Sequence, residues 1–219
     1  MVYGIDFNNS FVAFSGGKDS VAISKYVREE LDLKIPHVAV VNHELDYEEH
    51  LDYIRDYCDN NEIELHLQIL KNRGVDYVKA NPKYIFPKDS KTKGEWFKKF
   101  QQYGIKKWAK DNNFSTIIYG RRLADGNNIK KEYYQTADKL FHYFPLRTWS
   151  NEQTNYYIHK EELSPIYKTE LGKRRGTHTI NIANEYQGSE ELGIKLVDSI
   201  SLEKGELVRD LLEFKNKKS

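Results

Sequence analysis

Residues Phe11–Ser20 read Phe-Val-Ala-Phe-Ser-Gly-Gly-Lys-Asp-Ser. An apolar strand stops at Ser15, two glycines follow, and an amphipathic helix is expected from Asp19. Glycine lets the backbone adopt turn angles closed to other residues and approach an anion closely. A helix start offers unpaired N–H groups and the positive end of a dipole. Ser15 and Ser20 add hydroxyls and Lys18 adds a charge, so the run suits phosphate. The Gly-x4-Gly-Lys-Ser/Thr spacing of a Walker A loop is absent. The plainer reading is an ordinary strand–turn–helix with an Asp cap.

Strand and helix patterns alternate beyond this run. His37–Val41 and Thr116–Tyr119 are apolar runs of strand length, and Glu62–Leu70 alternates through Ile63, Leu65, Leu67 and Ile69. A fifth strand is expected over Leu140–Leu146. Helices are expected over Ser20–Leu31, Tyr47–Asn60 and Trp96–Asn112, from Ser150 with Gln153 completing a capping box, and through most of Ser189–Lys215. Lys71–Gly94, with Pro82 and Pro87, reads as a loop or short excursion. The expected fold is therefore α/β: a doubly wound, mostly parallel five-stranded sheet flanked by helices, with a helical carboxyl-terminal extension. Ligands of such sheets bind at the carboxyl ends of strands. Ser15–Ser20, Asn42–His43 and Gly120–Arg122 all fall at such ends.

Arginine suits bidentate contact with phosphate, sulfate or carboxylate, so Gly120-Arg121-Arg122 reads as an anion clamp or as a solvated basic turn. Together, Ser15–Ser20 and Gly120–Arg122 carry a resemblance. The first is similar to the SGGxDS pyrophosphate loop of the ATP pyrophosphatase superfamily. The second, with Pro145-Leu146-Arg147-Thr148-Trp149-Ser150, Tyr156-Tyr157-Ile158, Leu163-Ser164-Pro165-Ile166-Tyr167 and Gly172-Lys173-Arg174-Arg175-Gly176, resembles its PAPS reductase and sulfate adenylyltransferase small-subunit branch. The resemblance covers roughly Ser10–Gly176 and implies an adenine nucleotide alpha hydrolase-like fold. It divides the chain into a nucleotide-binding domain, 1–176, and a mostly helical extension, 177–219, packed on the same domain.

The resemblance implies attack on the α-phosphate of ATP, transfer of the adenylyl group to an unidentified acceptor, and release of pyrophosphate. Ser15, Gly16, Gly17, Lys18 and Ser20 would hold the β- and γ-phosphates. Asp19 would cap the helix or assist a phosphate-bound Mg²⁺. Arg121 and Arg122, with Arg174 or Arg175 as outside candidates, would hold the α-phosphate or an anionic acceptor. Lys18, Asp19, Arg121 and Arg122 are the expected catalytic set. Gly120, Asn42 and His43 are expected to border the nucleotide; His43 reads as a contact to ribose or adenine or, equally, as a plain loop histidine. Glu44, Asp46 and His178 are weaker candidates.

The branch's thiol-dependent reductases carry a nucleophilic cysteine near the carboxyl end. The chain of 219 residues has one cysteine, Cys58, so thiol-dependent reduction is not expected, nor a disulfide or a cysteine-bound metal. No structural metal is expected. Two alternatives stay open: a non-catalytic module binding an adenine nucleotide or a sulfonucleotide (APS or PAPS), and ATP-dependent modification of a nucleobase in RNA or DNA. The net charge of +1 gives no whole-molecule argument for nucleic acid. Only Lys83–Lys110, lysines interleaved with Trp96, Phe97, Phe100 and Trp108, invites it, and the aromatics fit a helix core face as well. A partner subunit or homo-oligomer remains open. Met1–Ser10 lacks a signal pattern and no apolar run approaches the roughly 20 residues of a membrane span. A cytoplasmic location without membrane contact is expected.

Overall fold

The apolar runs become strands β1 (Ser10–Ala13), β2 (His37–Val41), β3 (Leu65–Ile69) and β4 (Thr116–Tyr119) in a computed structural model that describes residues 5–87, 89–158, 162–167 and 189–218. Two short strands, β5 (Tyr133–Gln135) and β6 (Phe141–Tyr143), complete a six-stranded sheet in the order β3-β2-β1-β4-β6-β5. β1 runs parallel to β2 and β4, and β4 parallel to β6; β5 alone is shown antiparallel, to β6. The fold is the expected doubly wound α/β, with one strand more than the five expected. β5 escaped the sequence pattern because three residues are too few to establish a period, and it lies at the edge of the sheet.

The chain forms two compact units. One comprises Met1–Ala39, Ile54–Gln68 and Ile105–Leu163; the other Val40–Tyr53, Ile69–Gly104 and Ser164–Ser219. The expected domain boundary at 176/177 lies outside the described residues.

In the first unit, β1 and β4 carry Phe11, Val12, Ile117 and Ile118 into a core with no solvent exposure. Fully buried strands of this kind read as continuous apolar runs because both faces are covered. Phe11 meets Trp108 and Phe114 edge-on, with ring centroids 4.8 and 5.7 Å away. Helix α1 (Lys18–Glu29) lays Val21, Ala22, Ile23 and Val27 on the core. Helix α6 (Asn151–Tyr157) begins at the expected capping box: the Gln153 N–H donates to Ser150 Oγ and the Ser150 N–H to Gln153 Oε1.

His37, at the start of β2, is buried. Its Nδ1–H donates to the Ile35 carbonyl at 3.2 Å, which leaves Nε2 to accept from Ser24 Oγ at 2.8 Å. Burial pulls its pKa down to about 4. The folded state therefore holds it neutral while the unfolded chain takes up a proton near pH 6.5. The stability this neutral ring contributes is complete above that value and is lost as the pH falls toward 4. About 2 kcal/mol is expected to disappear between pH 7 and pH 5. An NMR titration of the His37 ring in the folded protein checks this, and a midpoint near 6.5 would refute it.

The second unit holds helices α3 (Val75–Ala80), α4 (Ser90–Phe97), α7 (Glu190–Asp198) and α8 (Leu202–Lys218). Segment 71–94, expected as a loop or short excursion, carries short helices. A π-helical stretch, Lys98–Gln102, follows α4 directly. Trp96 and Phe100 stack with centroids 3.5 Å apart and are buried, with Tyr84 edge-on to Trp96. Ser164 is buried with its hydroxyl 2.7 Å from His50 Nδ1. Two further α-helices among the described residues are α2 (Glu48–Asn60) and α5 (Tyr103–Asp111). Among the described residues no helix is long and apolar enough to cross a membrane.

Candidate functional site

The Ser15–Ser20 loop leaves the carboxyl end of β1 in the first unit. Gly16 sits at φ +66°, the left-handed region that favours glycine. Gly17 is the N-cap of α1 at φ −80°, ψ 165°, with no side-chain cap. Asp19 therefore lies inside the helix and is not its cap. Ser20 closes the loop: its Oγ accepts from the Ser15 N–H at 3.0 Å and lies 2.7 Å from Ser15 Oγ. The first N–H groups of α1 have no intrahelical acceptor, which leaves a positive helix end framed by a fixed loop. Lys18 Nζ stands 3.1 Å from Asp19 Oδ1 and 3.5 Å from Asp125 Oδ1.

Gly120 follows β4 and packs on the same helix end. A Cβ placed there would lie 2.1 Å from the Asp19 carbonyl oxygen, so only glycine fits. Extended chain sends successive side chains to opposite faces, and Arg122 is still extended at φ −128°, ψ 157°. The two arginines accordingly diverge. Arg121 shares its face with Tyr119 and donates from Nε and Nη2 to Asn127 Oδ1 at 3.2 and 2.8 Å. Burial lowers its pKa, partly offset by Tyr119 and Tyr134.

Arg122 turns toward α1 and has no solvent exposure. Its Nε donates to Asp19 Oδ1 at 2.8 Å, Nη1 to the Ser150 and Trp149 carbonyls at 2.9 and 3.3 Å, and Nη2 to Asp125 Oδ1 and Asn151 Oδ1 at 2.8 and 3.1 Å. A guanidinium has five N–H donors, and all are occupied. The expected tandem clamp is thus corrected. Arg122 is a positioning residue joining the start of α1, the 123–125 turn and the 149–151 segment, and Arg121 alone of the pair remains a candidate for anion contact. Burial raises the Asp19 pKa; Lys18 lowers it, Asp125 raises it further and Arg122 lowers it.

The Pro145–Ser150 motif serves Arg122. Trp149 packs edge-on against Tyr26 of α1 and Tyr157 of α6, with centroids 5.9 and 5.1 Å away. So anchored, it presents two successive carbonyls to Arg122. Arg147 is likewise structural, its Nε donating to the Ile129 carbonyl at 2.8 Å. The family model for the phosphoadenosine phosphosulfate reductase domain matches residues 9–170.

The chain belongs to the phosphoadenosine phosphosulfate reductase domain family. Among solved structures this PAPS reductase-like chain is similar to phosphoadenylyl-sulfate reductase from Candida auris in a phosphate complex, with TM-score 0.55 and 14% identity over 80% of this chain and 82% of that one. It is also similar to the U34-tRNA thiolase NcsA from Methanococcus maripaludis with its 4Fe-4S cluster, with TM-score 0.52 and 15% identity over 94% and 71%. These likenesses bear on the fold. No curated protein matches the chain.

Two expected nucleotide contacts of this PAPS reductase-like chain, Asn42 and His43, belong to the second unit. Asn42 is fully buried; its backbone N–H donates to Asp46 Oδ2 at 2.8 Å and its Nδ2 to Asp46 Oδ1 at 3.2 Å. That closed turn occupies its amide donors, and its buried Oδ1 has no hydrogen bond among the described residues. Asn42, expected to border the nucleotide, thus has its amide donors committed to Asp46. His43 is exposed. Arg174, Arg175 and His178 lie outside the described residues, as does Lys88. In the lysine-rich stretch Trp96, Phe100 and Trp108 are buried, while Lys83 and Lys106 pair with Glu95 and Asp138 at 2.6 and 2.8 Å. Among the described residues no group of three or more His, Cys, Asp or Glu is placed to hold a metal ion. Asp125 was missed by the sequence reading; its signal was the turn-forming Asp125-Gly126 pair.

Proposed function

We propose that the Ser15–Ser20 loop binds the phosphates of ATP and that the protein transfers the adenylyl group to an acceptor. The observation that carries this reading is the loop itself: a left-handed Gly16, hydroxyls locked together, and Lys18 at the open end of α1. An oxygen or other nucleophile of the acceptor would attack the α-phosphorus, the bond to the bridging oxygen would break, and pyrophosphate would leave with that electron pair. The protein's contribution is positioning and neutralisation of charge. Lys18 would take the developing negative charge of the leaving phosphates, and Arg121 would hold the α-phosphate or an anionic acceptor.

Asp19 and Asp125 present Oδ1 to Arg122 and Lys18, and Oδ2 of each carries no hydrogen bond among the described residues. That donor set fits a Mg²⁺ carried in by the nucleotide, which keeps few protein ligands and would supply charge neutralisation on the phosphates. Reduction through a thiol of this chain would fall to Cys58, which is buried with its pKa pushed up to about 12. Such a thiol is inert at neutral pH. A cytoplasmic location accords with ATP as substrate. The full occupation of Arg122 leaves few candidate cations at the loop, and this favours, as second reading, a nucleotide-binding module without turnover.

Pyrophosphate release from ATP across a panel of acceptors including sulfate, with ATP binding followed by calorimetry, separates the two. ATP binding without α–β cleavage for any acceptor supports the second reading; cleavage with one acceptor supports the first. Two substitutions test the loop. Gly17→Ala fits its backbone angles and is expected to leave the fold intact while crowding the bound phosphates and weakening ATP binding. Normal ATP affinity in that variant removes the loop from the nucleotide site. Gly16→Ala adds backbone strain of about 1–2 kcal/mol at positive φ and should lower stability as well as affinity.

A further inference from the structure

Asp125 ends a short turn, Leu123–Asp125, closed by Gly126 at φ +75° and by the Gly126 N–H donating to the Leu123 carbonyl at 2.9 Å. Asn127 steadies the same turn by donating to the Arg122 carbonyl at 2.9 Å. The carboxylate is therefore held from both sides of the chain. One of its oxygens, Oδ1, faces two cations: the immobile Arg122 at 2.8 Å and the long, partly exposed Lys18 at 3.5 Å. Of these partners only Lys18 is free to move.

We propose that Asp125 is a positioning residue that restrains Lys18: in the nucleotide-free protein its carboxylate holds the Lys18 ammonium beside Arg122, and an arriving polyphosphate takes the ammonium from it. The proposal rests on the assignment of the Ser15–Ser20 loop to phosphate. Asp125 sets the strength of polyphosphate binding by competing for the same cation. It acts together with Asp19, whose Oδ1 is 3.1 Å from the same ammonium. The asymmetry between a fixed guanidinium and a movable ammonium follows from their bonding: Arg122 is tied by five donors, whereas Lys18 has only these two carboxylate contacts among the described residues.

Asp125→Asn isolates this role. An asparagine oxygen still accepts from Arg122 Nη2, but the charge that restrains Lys18 is gone. Calorimetry with ATP and with tripolyphosphate, both free of Mg²⁺, should show binding about three- to tenfold tighter than wild type at moderate salt. Acylation of Lys18 by an amine-reactive reagent, followed by peptide mass spectrometry without nucleotide, should be faster in the variant. In a Lys18→Met background the gain from Asp125→Asn should fall below twofold. A purely structural Asp125 would leave affinity and Lys18 reactivity unchanged with Asn in place, and that result overturns the proposal. An equal gain in both backgrounds also overturns it, since Asp125 would then act as bulk charge. Should Asp125→Asn fold poorly, wild-type Lys18 must still acylate more slowly than the exposed Lys98; equal rates overturn the proposal. Wild-type protein that binds neither ATP nor tripolyphosphate overturns the loop assignment and this inference together, whereas wild-type binding with an unchanged variant overturns the inference alone.

Discussion

Arg122→Ala is expected to lower the unfolding free energy by about 3–5 kcal/mol, the range for removing one partner of a buried ion pair, and to abolish measurable ATP binding. The guanidinium is fully buried and serves Asp19, Asp125, Asn151 and the carbonyls of Trp149 and Ser150. Its removal leaves two carboxylates side by side with, among the described residues, only Lys18 paired to them, at the point where a polyphosphate would enter. For a chain of this size the thermal midpoint should fall by roughly 10 °C. Arg122→Lys should recover little, because a single ammonium has three donors and cannot reach acceptors spread over three segments. Urea unfolding and calorimetry with ATP check both variants. A stable Arg122→Lys protein with wild-type affinity would show that charge alone matters there and that the five-bond arrangement does not.

Gly120→Ala should be nearly as damaging through a different cause. The new methyl would meet the Asp19 carbonyl oxygen at 2.1 Å and its carbon at 2.7 Å, and both are backbone atoms that cannot rotate away. The first turn of α1 must shift by about 1 Å or more. Overpacking of this kind costs about 1–3 kcal/mol, and because the displaced atoms are the helix end itself, ATP affinity should drop at least tenfold. Gly94→Ala is the matched control. It lies in α4 with nothing within 4 Å of its new methyl, and alanine there should stabilise the protein by about 0.5–1 kcal/mol. Equal stability losses in the two variants would refute the steric account.

Those two residues also mark how far the sequence could be read. The β1–loop–α1 unit was legible because its signals are local: an apolar run, paired glycines, a helical face. The Ser150–Gln153 cap was legible for the same reason. The adjacency of Arg121 and Arg122 suggested a shared task, yet the two-residue period of extended chain already places consecutive side chains on opposite faces. That rule, applied just past Tyr119, would have separated them. The Asp125-Gly126 turn was legible, but the task of Asp125 and of the Trp149–Ser150 carbonyls was not, because it exists only once Arg122 reaches them across the fold. β5 was missed because its three residues take their strand character from pairing with β6. The helices between Lys71 and Gly94 were hidden by prolines that punctuate short turns and do not exclude them.

The central pairing of the sheet has a consequence for biosynthesis. Asn9 and Ser115, hydrogen-bonded at 3.2 Å beside the β1–β4 ladder, are 106 positions apart. Contacts so distant in the chain form late, since loop closure must come first. On the ribosome, the Ser15–Ser20 loop emerges well ahead of Gly120, Arg122 and the Trp149 and Ser150 carbonyls that hold it. A nascent fragment that ends before β4 should be blind to ATP. On the proposed reading, ATP would be a ligand of the finished molecule and would take no part in guiding its assembly.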